Sequence, residues 1–137
     1  MITDYFSLAG KKALITGAGK GIGARIATAY AEMGCDVALI ARTKSDLDSV
    51  AEAVKALGQE ALVYPCDIQD EAALAAVVDD LTQRWGNLDI LVNNAGAPGK
   101  GYGSLSKVTK ARFEHTLDIN LTSAYTLTHL ALPMLRE

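Results

Sequence analysis

The sequence has little of what marks a metalloprotein, a secreted scaffold or a nucleic-acid binder. It carries two cysteines, Cys35 and Cys66, and two histidines, His115 and His129, in 137 residues. So few cysteines cannot build a disulfide framework, and without clustered histidines they do not make a metal site. They read as reduced, buried thiols near strands, and no metal is expected. The histidines have no partner at a matching spacing and take no role. An excess of positive charge is also missing. Thirteen Lys and Arg against 16 Asp and Glu give a net charge of −3, which leaves no basic footprint for nucleic acid. No apolar run approaches a membrane span, and Met1 to Ala9 lacks a signal-peptide pattern. A cytoplasmic protein with neither nucleic acid nor membrane as partner is the expectation.

What remains is a chain that is 50% hydrophobic and 21% charged. That composition predicts a single globular domain over residues 1–137 with a sizeable core. The organising stretch is Ala13-Leu14-Ile15-Thr16-Gly17-Ala18-Gly19-Lys20-Gly21-Ile22-Gly23. An apolar, β-branched run enters it and a helical pattern leaves it, so its glycines sit at a strand-to-helix turn. Glycine permits positive φ and close backbone approach by a ligand. The helix end beyond it offers free N–H groups and a partial positive charge, a ready seat for a pyrophosphate. The spacing G-x-x-x-G-x-G is neither G-x-G-x-x-G nor a P-loop, since Gly21 follows Lys20 where a hydroxyl residue is required. On spacing alone, a tight turn that binds nothing stands as the alternative.

The rest of the chain alternates. Lys12–Thr16 is the first strand, and Gly21–Met33 is a helix with Ile22, Ile26, Tyr30 and Met33 on one stripe, stopped by Gly34. Val37–Ala41 reads as a strand buried on both faces. Ser45-Asp46-Leu47-Asp48 reads as a capping box opening a helix that buries Leu47, Val50, Val54 and Leu57. Ala61–Tyr64 is a third strand, and Asp70 caps a third helix carrying Leu74, Val77, Val78, Leu81 and Trp85. Asp89–Asn93 is a fourth strand, and Ala97–Ser104 a glycine-rich loop. From Thr109 to Glu137 the pattern is helical, with Phe113, Leu117, Leu121, Tyr125 and Leu132 as a broken apolar stripe. This βαβαβαβ order predicts an α/β fold, a Rossmann-type doubly wound parallel sheet in the order 3-2-1-4.

In such sheets ligands bind outside the carboxyl ends of the strands, where strand order reverses. The glycine turn and Asn93-Asn94-Ala95-Gly96 would then flank one crevice. A carboxylate at the end of the second strand would select NAD, and an arginine NADP. Here Leu39-Ile40-Ala41-Arg42-Thr43-Lys44 ends in cations, with no acidic residue before Asp46, and Lys20 can add a second positive charge. NADP(H) is therefore expected over NAD(H) by one to two decades, at about 1.5–3 kcal/mol for a charge-assisted contact. The bland alternative is that Arg42 and Lys44 are solvated turn charges. Asp67, after the third strand, either receives the adenine amino group or orders its own turn.

Together, Thr16-Gly17-x-x-x-Gly21-Ile22-Gly23, Asp67, Asn93-Asn94-Ala95-Gly96 and Asn120 within Asp118-Ile119-Asn120-Leu121 resemble the short-chain dehydrogenase/reductase family in its NADP-preferring form. The resemblance runs from about Leu8 to Glu137. It implies that Gly17, Ala18, Gly19, Lys20, Gly21, Ile22 and Gly23 hold the pyrophosphate side, with Lys20 and Arg42 reading the 2′-phosphate. Asp67 and Ile68 would contact adenine, and Asn94, Ala95 and Gly96 would border the ribose and nicotinamide. Asn120 looks like the asparagine of the family's catalytic tetrad. The implied reaction is hydride transfer to or from a small carbonyl or alcohol substrate, in a homodimer or homotetramer.

The family's serine and Y-x-x-x-K pair are missing. Four residues after Tyr5, Tyr30, Tyr64, Tyr102 and Tyr125 stand Ala9, Gly34, Ile68, Ser106 and His129. The chain therefore looks like the cofactor-binding, N-terminal part of such an enzyme, inactive by itself. A non-catalytic dinucleotide-binding module and a truncated product without function are the rival readings.

Overall fold

The computed structural model describes residues 2–97 and 104–136. Four parallel strands form its sheet: β1 (Lys12–Thr16), β2 (Asp36–Ala41), β3 (Ala61–Pro65) and β4 (Ile90–Val92), in the order β3-β2-β1-β4. Residues of β1 and β2 alternate between two cores, because successive strand side chains leave opposite faces. Ala13, Ile15, Val37 and Leu39 face α1 (Gly21–Glu32) and α2 (Lys44–Ala56). Leu14, Ala38 and Ile40 face α3 (Glu71–Trp85) and α5 (Ser123–Leu135). Among the described residues β4 has only β1 beside it. Both cysteines are free and buried, and Trp85 is core, its indole N–H donating to Glu60 Oε2 at 2.9 Å.

Periodicity holds for α3, whose buried residues are Leu74, Val77, Val78, Leu81 and Trp85, and for Leu47, Val50 and Val54 of α2, but it fails for α1. In α1 the buried positions are Gly23, Ala27 and Ala31, while Ile22 is 74% exposed and Met33 is exposed. Ile26 and Tyr30 are partly buried and pack against this core. Small residues let α1 lie close to the sheet, so the stripe that faces it is the one with least side chain. In α2 the cap is Thr43, not Ser45, and it makes no side-chain cap bond, so the capping box does not form. Ala51 is buried in that helix and Leu57 is exposed. Asp70 does cap α3, accepting from the Ala73 N–H at 3.0 Å.

The final helical region departs most. It is divided into α4 (Lys110–Leu117), a π-helical turn (Asp118–Thr122) and α5. Ser123, Leu127, Ala131 and Met134 are its buried face. Phe113, Leu121 and Tyr125, from the broken apolar stripe of the sequence, are 57%, 63% and 69% exposed, and Leu117 is exposed too. Of the predicted loop Ala97–Ser104, residues 98–103 lie outside the described residues.

The amino end of the sheet is held by Asp89. It accepts from the Lys12 N–H at 2.9 Å and pairs with Lys11 Nζ at 3.1 Å. Burial pushes its carboxyl up, but the bonds and charges of Lys11 and Lys12 outweigh this, and the net direction is below the usual value. A depressed folded-state value stabilises the fold above the unfolded value of about 3.9 and ceases to do so as pH falls through the lower one. Asp89→Asn should therefore lower stability at pH 7 by under about 1 kcal/mol, since Lys11 is solvated. Thermal melts should show the difference from the parent closing below about pH 4.

Candidate functional site

The carboxyl ends of all four strands open into one cleft of about 400 Å³. Its floor and one wall come from the β1–α1 turn: Gly17, Gly19, Lys20 and Ile22. The β2 end adds Ile40, Ala41, Arg42, Thr43 and Asp46, and the β3 end adds Cys66, Asp67, Ile68 and Gln69. Asn94, Ala95, Gly96 and Ala97 close the side after β4, with Ile119 from the π-helical turn. Most of the residues singled out in the sequence thus converge. Ala18, Gly21, Gly23 and Asn120 support the cleft without lining it.

The glycines do different work. Gly21 has φ +59°, with open space where a Cβ would stand. Gly17, at φ +62°, lies under the β4 loop, and a Cβ there would meet Asn94 Nδ2 at 2.9 Å and Ala95 Cα at 3.0 Å. At Gly23 a Cβ would collide with the Gly17 carbonyl oxygen and come within 2.6 Å of Asn94 Nδ2. Absence of side chain is what lets the start of α1 press against the end of β1. Ala18 is fully buried, its N–H donating to the Ile40 carbonyl at 3.1 Å.

The N-terminus of α1 is left open. Lys20 is its cap residue, supplies no side-chain acceptor, and no acidic residue occupies the first turn. The first bond to the cap is Ala24 N–H to Lys20 O at 3.4 Å. Among the described residues nothing accepts from the N–H groups of Gly21, Ile22 and Gly23. Those donors, with the helix dipole behind them, suit an anion.

Thr16 locks the two strand ends together, a role the sequence motif did not disclose. Its buried hydroxyl accepts the N–H of Asn94 at 3.1 Å and of Ala95 at 2.9 Å, and donates to the Val92 carbonyl at 3.4 Å. Asn94 answers through Nδ2, donating to the carbonyls of Thr16 at 3.1 Å and Gly17 at 3.3 Å. Asn93 turns away, its Nδ2 donating to Thr128 Oγ1 at 3.0 Å. Thr16→Val keeps the shape and strands two N–H groups. It should cost about 1–2 kcal/mol, read as a lower urea midpoint with unchanged slope.

Of the charged residues, Lys20 and Arg42 are exposed at the cleft, while Lys44 is drawn off into an ion pair with Asp48 at 2.6 Å. Asp67 orders its own turn, Oδ1 accepting from the Gln69 N–H at 2.9 Å, and lines the cleft as well. Burial pushes the Cys66 thiol up, with the charges of Asp70 and Asp67 adding to it. Burial, Asp36 and Asp89 raise Cys35 to about 11. Neither is a thiolate near neutral pH. Among the described residues no three His, Cys, Asp or Glu side chains gather as metal ligands.

Asn120 sits in the π-helical turn, behind the cleft rim. Its Nδ2 donates to the carbonyls of Ala97 at 3.0 Å and Thr116 at 2.9 Å, and its Oδ1 accepts from the Ala97 N–H at 3.3 Å. A Cβ on Gly96 would lie 2.6 Å from that oxygen. The π-turn and the loop after β4 are therefore joined by one side chain, and Ile119, its neighbour, reaches the cleft wall. Sequence offered one signal for this, an asparagine in mid-helix.

Known proteins resemble this chain in sequence and fold. The short chain dehydrogenase family matches residues 11–137. An uncharacterised oxidoreductase of Mycobacterium tuberculosis is 37% identical over 137 residues, covering 100% of this chain and 51% of that protein. Carveol dehydrogenase from Mycobacterium avium, solved in complex with NAD, superposes with a TM-score of 0.88 at 31% identity, over 93% of this chain and 50% of that one. L-sorbose reductase from Gluconobacter frateurii, solved with NADPH and L-sorbose, gives a TM-score of 0.88 at 28% identity, over 95% and 49%. The chain spans about half the length of these relatives. With the family matched along nearly its whole length, on a parallel sheet of the same order as its motifs require, this chain belongs to the short-chain dehydrogenase family.

Proposed function

We propose that this chain is the cofactor-binding portion of an NADP(H)-dependent oxidoreductase, acting on a small carbonyl or alcohol substrate. One observation carries the reading: an uncapped helix start and two cations without an ion pair among the described residues, Lys20 and Arg42, share the cleft. Related structures bind NAD in one case and NADPH in the other, and the cations favour the phosphorylated form. The cleft fits such a group, since the N–H groups of Gly21, Ile22 and Gly23 at the start of α1 have no acceptor among the described residues and suit a phosphate.

Gly17, Gly19, Gly21, Ile22 and Gly23 would hold the pyrophosphate, and Lys20 with Arg42 the 2′-phosphate. Asp67 and Ile68 would take adenine, and Asn94, Ala95 and Gly96 the nicotinamide side. Asn120 acts as a positioning residue by tying the π-turn to Ala97. Bound NADP(H) supplies or accepts the hydride. These 137 residues hold no Y-x-x-x-K, so no tyrosine here has the neighbouring lysine that would tune it as a proton donor. In the whole protein, the exposed apolar face of Phe113, Leu121 and Tyr125 supports a homodimer or homotetramer.

Calorimetric titration with NADPH, run beside an assay of NADPH oxidation with simple ketones, tests this. Binding without oxidation is the expected result. Turnover by the pure chain would overturn the argument from the missing tyrosine and lysine, and absence of binding would overturn the cofactor reading.

A further inference from the structure

The corner of the cleft that holds Lys20 and Arg42 also holds a carboxylate. Asp46, in the first turn of α2, is half-buried in the cleft wall. The glycine turn rests on it: a Cβ at Gly19 would meet Asp46 Cβ at 3.1 Å, Ala41 Cβ at 3.4 Å and Asp46 Oδ2 at 3.9 Å. Asp46 is therefore packed beneath the phosphate-binding turn, one residue from Lys20. Its place is not explained by helix capping, because Thr43 is the cap residue and Asp46 makes no hydrogen bond or ion pair among the described residues. Lys44, which could neutralise it, is paired with Asp48.

We propose that Asp46 is a specificity-determining residue that opposes the 2′-phosphate and so narrows the chain's preference for NADP(H). This rests on the reading of Lys20 and Arg42 as the phosphate-selecting cations. The corner then carries two positive charges and one negative, not two positive charges alone. A 2′-phosphate meets repulsion from the carboxylate, whereas a 2′-hydroxyl meets an acceptor. NAD(H) is thereby admitted as a second cofactor.

The test is a comparison of NADPH and NADH affinity in the full chain carrying Asp46→Asn. The substitution keeps the size and removes the charge. NADPH affinity should rise about five- to tenfold at low salt, and NADH affinity should stay within about twofold or fall. The gain should shrink as salt is added, since the repulsion it removes is screened. A merely structural role would move both cofactors together, so equal changes, or none, would overturn the proposal. Asp46→Ser gives the same readout if the asparagine variant fails to fold, and Asp46→Glu, which keeps the charge, should not tighten NADPH. The underlying reading is tested apart from this by Arg42→Asp. If that variant loses NADPH and NADH equally, the selector reading itself fails. If it loses NADPH alone while Asp46→Asn changes nothing, only the role of Asp46 is lost.

Discussion

Arg42→Asp should weaken NADPH about ten- to hundredfold while leaving NADH within about threefold. Arg42 stands at the end of β2, exposed and lining the cleft, with no ion pair among the described residues. Its guanidinium is therefore available for a phosphate, and a charge-assisted contact of that kind contributes about 1.5–3 kcal/mol. The substitution also adds a carboxylate to the one Asp46 already places there. Because Arg42 is exposed, the fold should keep its stability to within about 0.5 kcal/mol. Paired titrations with the two cofactors, alongside a thermal melt, separate loss of contact from loss of fold. Equal weakening of both cofactors would remove Arg42 from the selector role.

Gly23→Ala should be the most damaging glycine-to-alanine change among the described residues. Its Cβ would strike the Gly17 carbonyl oxygen and crowd Asn94 Nδ2, which itself holds the carbonyls of Thr16 and Gly17. The first obstacle is backbone at the end of β1, so no side-chain rotation relieves it. Either α1 tilts away from the sheet or the β1–α1 turn opens, and both displace the free N–H groups at the start of α1. A loss of about 3 kcal/mol is expected from overpacking, together with loss of measurable NADPH binding. Urea unfolding and calorimetry read the two separately. Gly21→Ala is the control: it meets no atom, and its cost is the left-handed backbone alone, about 1–2 kcal/mol.

The sheet and its order were legible because each crossover from β1 to β4 leaves a strong local trace: an apolar strand, a turn, a helix. The buried faces of α2 and α3 were legible as well, but those of α1 and of the last helical region were not. Apolar periodicity places Ile22 and Met33 on a stripe, but α1 approaches the sheet so closely that only Gly23, Ala27 and Ala31 fit between them. Likewise Phe113, Leu121 and Tyr125 repeat at helical spacing and are exposed, while Leu127, Ala131 and Met134 pack on the sheet. Periodicity reports that a stripe is apolar, not what covers it, and the π-turn at Asp118–Thr122 shifts the phase between α4 and α5. In the cleft, Gly17, Lys20, Arg42, Asp67 and Asn94 were visible from motif and strand end. The Thr16 hydroxyl clamp and the carboxylate of Asp46 beneath Gly19 depend on contacts 78 and 27 positions apart in sequence, which no local pattern encodes.

The proposed cleft binds a dinucleotide and prefers the 2′-phosphorylated form. Titration of the full chain with NADPH and with NADH, each at low and high salt, measures this directly. NADPH should bind tighter than NADH by about tenfold or more at low salt, with the advantage shrinking as the charges of Lys20 and Arg42 are screened. Equal affinity, tighter NADH, or a preference indifferent to salt would contradict it.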